Sequence, residues 1–196
     1  MKTQPRAGID YYPDGFEAAP SKPWPLWIQI GVFALAFVLL QGLWSFARGT
    51  AVERVAVDQA TVAPATWLVN QLTPQVHALA VRSSIRAPGG GINVLNGCEG
   101  FEVLFLLMAA LLVAPLSWRR KAVGLFSGAL LVWVLNQARI LVLFYASRAD
   151  KELFTLLHGT VAPLVMIVLV TIAFVFFLSM SYPAQSVNNA PRVTTA

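Results

Sequence analysis

The chain has 196 residues, of which 57% are hydrophobic and only 12% charged, with a mean hydropathy of +0.66. Soluble globular chains carry about 25% charged residues, so these values exclude an ordinary water-soluble domain and point to lipid as the solvent. The net charge of +5 is spread along the chain or set beside apolar runs, which excludes the concentrated basic stripe of a nucleic-acid binder, and a single cysteine excludes an internal disulfide.

Residues 1–23 are polar and carry Pro5, Pro13, Pro20 and Pro23, which predicts a flexible tail. No charged side chain occurs between Lys22 and Arg48. About 20 apolar residues cross a bilayer, so residues 27–46 are expected as a first spanning helix. A cleaved signal peptide is the rival reading, but its apolar part runs to roughly 7–15 residues before a small-residue site. This run is longer, and Ser45-Phe46-Ala47-Arg48 makes a poor site, so a retained anchor is expected.

Residues 47–100 differ in kind. Val55, Val62, Val69 and Val76 recur every seven places, with Ala65, Leu72 and Leu79 three places after the last three of them. That is an amphipathic helical pattern. Pro64 and Pro74 interrupt it, so two or three short helices are expected on the membrane surface or capping the bundle. Thr73-Pro74 reads as an N-cap followed by proline at the first helical position. His77 is read as a residue on the face of such a helix. Pro88-Gly89-Gly90-Gly91 lacks the Lys-Ser/Thr of a phosphate loop and is read as a hinge. Residues 92–95 form a candidate extended piece.

The stretch Asn96-Gly97-Cys98-Glu99-Gly100-Phe101-Glu102 follows and holds the lone cysteine. Residues 101–118 are expected as a second, short span, and Arg119-Arg120-Lys121 as a tight basic turn. Residues 122–145 make a third span, which contains Arg139 and the pair Gly124 and Gly128, whose spacing lets helices approach closely. A short polar loop at 147–158 leads to a fourth span at 160–181 and a flexible tail at 182–196. The fold class expected is an all-α polytopic membrane bundle of about four transmembrane helices with short extracytoplasmic amphipathic helices. Basic clusters in short loops stay cytoplasmic, so both tails are expected inside and residues 47–100 outside.

This topology brings distant polar residues to one level. Arg139 lies 18 places after Lys121, or about 27 Å along a helix, near the outer boundary of a hydrocarbon core about 30 Å thick. Asn136 is one turn before it on the same face. His158 stands at the outer end of the fourth span, and Cys98 at that of the second. Each has a bland alternative. Cys98 reads equally as a buried small residue, Arg139 as a snorkelling interfacial cation, His158 as an interfacial histidine, and Glu99 and Glu102 as solvated helix-start charges.

The chemical reading is nucleophilic catalysis. A thiolate is the nucleophile, and a cation or helix N-terminus favours it. His158 is the candidate general base, returning its proton to a leaving amine. Arg139 either activates the thiol or stabilises an oxyanion. One cysteine and two distant histidines make no metal cluster, and no cofactor is expected. A non-catalytic membrane scaffold is the alternative. A small transporter fits less well, because it needs ionisable groups near the midplane.

Asn96-Gly97-Cys98-Glu99-Gly100, Asn136-Gln137-Ala138-Arg139-Ile140 and His158 resemble the exosortase/archaeosortase family, and the short four-span layout looks most like its exosortase H type. The resemblance is best over residues 90–180. It implies a membrane cysteine transpeptidase or peptidase in the bacterial cytoplasmic (inner) membrane, with its active site on the extracytoplasmic side. Its partners would be membrane-anchored proteins bearing a C-terminal sorting signal: a recognition motif, a transmembrane helix and a basic tail. It further implies Cys98, Arg139 and His158 as the catalytic triad, with Asn136 in support. In the residues' own reading, Gly97 and Gly100 leave room for a substrate backbone, and Glu102 belongs to the first turn of the following helix.

Overall fold

The computed structural model describes residues 25–94 and 98–181. The expectations for residues 1–23 and 182–196, and those for Asn96 and Gly97, lie outside the described residues.

The first helix, α1 (Leu26–Ala47), buries none of its residues inside the chain. Its apolar surface is therefore offered to lipid. It lies along α3 (Phe101–Val113), and Trp44 meets the Phe101 ring at 4.2 Å between centroids. At the turn after α1, the Thr50 hydroxyl accepts from the Val52 amide, and the Glu53 carboxylate accepts from the Gly49 amide at 2.6 Å. These bonds occupy amides that a helix start leaves unpaired.

The next helix, α2 (51–72), runs unbroken through Pro64, contrary to the expected interruption. Its stretch Arg54–Val62 is π-helical, and the α-helical Ala63–Leu72 follows. Pro64 sits in the first turn after the wider π segment, where a missing N–H is least costly. The π segment also shifts the helix face. Val57, Val62, Ala65 and Val69 are buried, whereas Val55 and Leu72 are exposed, so the seven-residue pattern marks only part of the buried stripe. Pro74 does end the helix, through a single 3₁₀ turn at Pro74–Val76. His77 is not on a helix face. It adopts a left-handed conformation with φ 47°. Asn70 clamps the next residue there, donating to the Ala78 carbonyl and accepting from its amide, both at 2.8 Å.

A three-stranded antiparallel sheet then occupies a stretch expected to be mostly helical and hinge-like. Its strands are β1 (Leu79–Val81), β2 (Ser84–Ala87) and β3 (Gly90–Asn93), in that spatial order. Ile85 and Ile92 face each other across β2 and β3 and are buried together. The glycine run is the tip of the β2–β3 hairpin rather than a hinge. Gly89 and Gly90 have φ of 82° and 135°, values that suit glycine. Arg148 fixes this tip by donating to the Pro88 carbonyl at 2.7 Å.

After Cys98 come α3, α4 (Trp118–Ala149) and α5 (residues 151–181). The helix α3 stops at Val113, because Pro115 cannot continue it. At 13 residues it is about 20 Å long, less than the hydrocarbon thickness. The expected polar loop at 147–158 reduces to one turn. Asp150 breaks the chain direction and caps α5 by accepting from the Glu152 and Leu153 amides. Gly124 and Gly128 serve packing within the chain. A Cβ at Gly124 would lie 2.8 Å from Phe177, and one at Gly128 would overlap the Leu107 side chain. The basic turn is tied down, since Arg120 donates to the Ser181 carbonyl and Lys121 to the Leu112 carbonyl.

Three described helices, Leu26–Ala47, Trp118–Ala149 and Lys151–Ser181, are long and apolar enough to cross a membrane. The protein is a multi-pass membrane protein of helical architecture, with the small sheet as an addition to its cap. Its buried side chains form two clusters. One lies between α3, α4 and α5 and includes Leu107, Leu111, Val132 and Met166. The other joins α2 and the sheet to the C-terminal half of α4 through Val57, Val69, Ile85, Ile140 and Phe144, and it contains Cys98. The lone cysteine thus belongs to the seam between cap and bundle.

Candidate active site

Cys98 lies five residues after the end of β3 and three before α3. The Val94 amide donates to the Ser83 carbonyl at 2.8 Å and fixes the exit of β3. On the other side, Gly100 takes φ 82° as the N-cap of α3. A Cβ there would lie 2.9 Å from the Asn136 Cγ, so glycine is required for both conformation and space. Asn136 Nδ2 donates to the Glu99 carbonyl at 3.1 Å. The loop that carries the cysteine is therefore held by α4 through a side chain only 2% exposed.

One helical turn beyond Asn136, Arg139 Nη2 lies 3.9 Å from Cys98 Sγ. Across the loop, His158 Nδ1 lies 3.1 Å from the same sulfur. The structure brings Cys98, Arg139, His158 and Asn136 together, with Gly100 packed against Asn136. Glu102 stands apart, exposed in the first turn of α3, where its charge favours the helix dipole. Gly97 lies outside the described residues.

His158 is aimed by local helix geometry. It sits in the second π segment, Leu157–Val161, inside α5. A π turn advances side chains by a smaller angle than an α turn and so re-aims them relative to the flanking helix. The Phe154 ring lies parallel beneath the imidazole, with centroids 5.4 Å apart and an interplanar angle of 11°. The sequence offered a cue for this contact, an aromatic residue four places before the histidine. Glu99 is buried rather than solvated, because the loop turns inward at Gly100.

The electrostatics differ from the sequence expectation of a lowered thiol pKa. Burial pushes the Cys98 thiol up. The Arg139 guanidinium opposes this, and the Glu99 carboxylate adds to it. The net direction is upward, so a neutral thiol is favoured at neutral pH. A thiol of this kind needs a base in contact with it at the moment of attack, and His158 Nδ1 has that contact. The Arg139 guanidinium beside the sulfur favours negative charge that develops nearby.

A family model described as transmembrane exosortase matches residues 24–178. The chain belongs to the transmembrane exosortase family. The match covers most of the exosortase chain, from just before α1 almost to the end of α5, and so takes in all three candidate side chains. No curated protein and no solved structure matches it.

Proposed function

We propose that this exosortase is a membrane cysteine transpeptidase or peptidase, which cleaves a C-terminal sorting signal through a thioester on Cys98. One observation carries the reading: Cys98 Sγ is 3.1 Å from His158 Nδ1 and 3.9 Å from Arg139 Nη2. His158 takes the thiol proton as Sγ attacks the scissile carbonyl carbon. Arg139 stabilises the oxyanion of the tetrahedral intermediate. The C–N bond breaks, and the leaving amine takes the proton from His158. An acceptor amine, or water, then resolves the thioester by the same route in reverse.

A substrate anchored by its own helix would present its cleavage site at the membrane boundary, the level reached by Arg139. The proposed location is the bacterial cytoplasmic membrane, with the site on the extracytoplasmic side. The partners are proteins that end in a shared motif, one spanning helix and a basic tail. Cys98→Ala tests the reading in cells that encode such precursors. The expected result is normal insertion of the variant and accumulation of uncleaved precursor. Unchanged processing would sink the proposal in favour of a scaffold in which the same side chains only satisfy one another.

A further inference from the structure

A cleft of about 140 Å³ lies beside the Glu99–Gly100 backbone, between the π segment of α2 and the outer half of α4. Ala60, Ala129, Val132 and Trp133 give it apolar walls, and Gly100 and Asn136 close its end. Trp133 Nε1 donates to the Ala60 carbonyl at 2.7 Å. That bond ties the two walls together and satisfies the polar end of the indole. Ala60 and Trp133 are both exposed, so the cleft has an open mouth.

Its polar end is incomplete. Asn136 uses Nδ2 on the Glu99 carbonyl, which fixes the orientation of the amide. Its Oδ1 has no hydrogen-bond partner among the described residues, although the side chain is 2% exposed. A buried acceptor left without a donor is destabilising, and a donor brought by a bound chain would remove that cost.

Position along α4 indicates which part of a substrate the cleft meets. Asn136 is three residues nearer the start of α4 than Arg139, or about 4.5 Å further into the membrane. Ala129 lies two turns deeper still. The cleft therefore extends from the level of the Cys98 loop toward the membrane interior. A substrate's own anchor descends in the same direction from the cleavage site.

We propose that this cleft receives the first side chain on the departing side of the scissile bond, and that Asn136 Oδ1 accepts a backbone N–H of that departing segment. This rests on the acyl-transfer reading above. The volume of about 140 Å³ suits a branched aliphatic side chain better than an indole. Because the C–N bond breaks when the Sγ–C bond forms, the occupant leaves with the amine. The cleft then governs thioester formation and is empty when the thioester is resolved.

The test uses the full chain in membranes, with precursors from the same cell whose cleavage stops in Cys98→Ala. N-terminal sequencing of the released fragment locates the cleaved bond. The residue after it is then changed to glycine, valine or tryptophan. Valine is expected to be cleaved at least roughly tenfold faster than tryptophan, the scale on which apolar pockets discriminate. Ala129→Leu narrows the cleft and should move the preference toward glycine by about the same factor. Ala129→Gly widens it and should relax the discrimination against tryptophan, whereas a folding defect would depress all three substrates alike. The rate at which an added amine releases the accumulated thioester should be the same for all three. A preference insensitive to both Ala129 variants, or one carried into thioester release, overturns the cleft and leaves acyl transfer standing. If no precursor depends on Cys98, both fall.

Discussion

At the residue scale, the thiol is held by opposing influences whose removal has opposite signs. Burial raises the Cys98 pKa, Arg139 lowers it and Glu99 raises it. The thiolate fraction in the unliganded protein therefore grows as pH rises through the alkaline range, and so should the rate of alkylation of this lone cysteine. Arg139→Ala removes the lowering influence and should displace the alkylation profile to higher pH. Glu99→Gln removes a raising one and should displace it to lower pH. Both are read by mass spectrometry of membranes treated with iodoacetamide at stepped pH. A profile that moves the same way in both variants would contradict the assignment. In turnover, His158→Ala should cost roughly 10²–10⁴-fold in precursor cleavage, the usual contribution of a positioned acid–base group. Gly100→Ala acts one step removed. It demands a strained φ and drives a methyl against Asn136, so cleavage should fall while Asn136→Ala partly relieves the clash. The relief is the diagnostic part, because a simple loss of the Asn136 hydrogen bond would make the double variant no better than the single one.

At the element scale, two π segments do work that periodicity alone does not reveal. One carries α2 through Pro64 and brings Val57 into the core. The other sets the direction of His158. Deleting Gly159 should convert the second segment to ordinary helix and swing His158 relative to the rest of α5 by about one residue's rotation, roughly 100°. Precursor cleavage should be lost, while the amount of inserted protein stays near normal. Gly159→Ala is the control. A Cβ there has nothing within 4 Å, and alanine in a helix is worth roughly 0.5–1 kcal/mol over glycine. Equal activity in the deletion and the substitution would show that the π turn does not aim the histidine. Why the sequence was silent on these features is a matter of length. A π segment differs from α-helix by one residue in several. The strands have three or four residues each, and β3 begins with two glycines, so neither alternation nor propensity had room to register. The long helices were legible because Trp118–Ala149 and Lys151–Ser181 carry sustained apolar runs. The co-location of Cys98, Arg139 and His158 was legible for a different reason. A membrane gives every helix a common ruler, and counting residues from Lys121 puts Arg139 near the far end of its helix, at the end that Cys98 and His158 share. The burial of Glu99 and the stacking of Phe154 depend on how the loop turns, which no count of residues supplies.

At the scale of the whole molecule, the direction in which the bundle crosses the membrane decides what Cys98 can reach. The basic turn and the end of α5 lie together, because Arg120 bonds the Ser181 carbonyl. Cys98, Arg139 and His158 lie at the opposite end of α4. If the basic turn is cytoplasmic, the thiol faces the extracytoplasmic side and meets only exported proteins. Cys98 is itself buried, so its labelling alone is a slow reporter, and single-cysteine variants in a Cys98→Ala background are better probes. Thr155→Cys and Arg119→Cys both introduce exposed thiols, one beside His158 and one in the basic turn. A membrane-impermeant maleimide added to sealed cells should label Thr155→Cys promptly. It should label Arg119→Cys only after the membrane is opened. The reverse pattern would put the site on the cytoplasmic side, where an anchored precursor would have to expose its cleavage site before export. Equal labelling of both in sealed cells would mean that the two ends share a compartment, which a 32-residue helix rising about 48 Å across the bilayer forbids. The experiment therefore tests the span of α4 and its direction together, with neither outcome depending on catalysis.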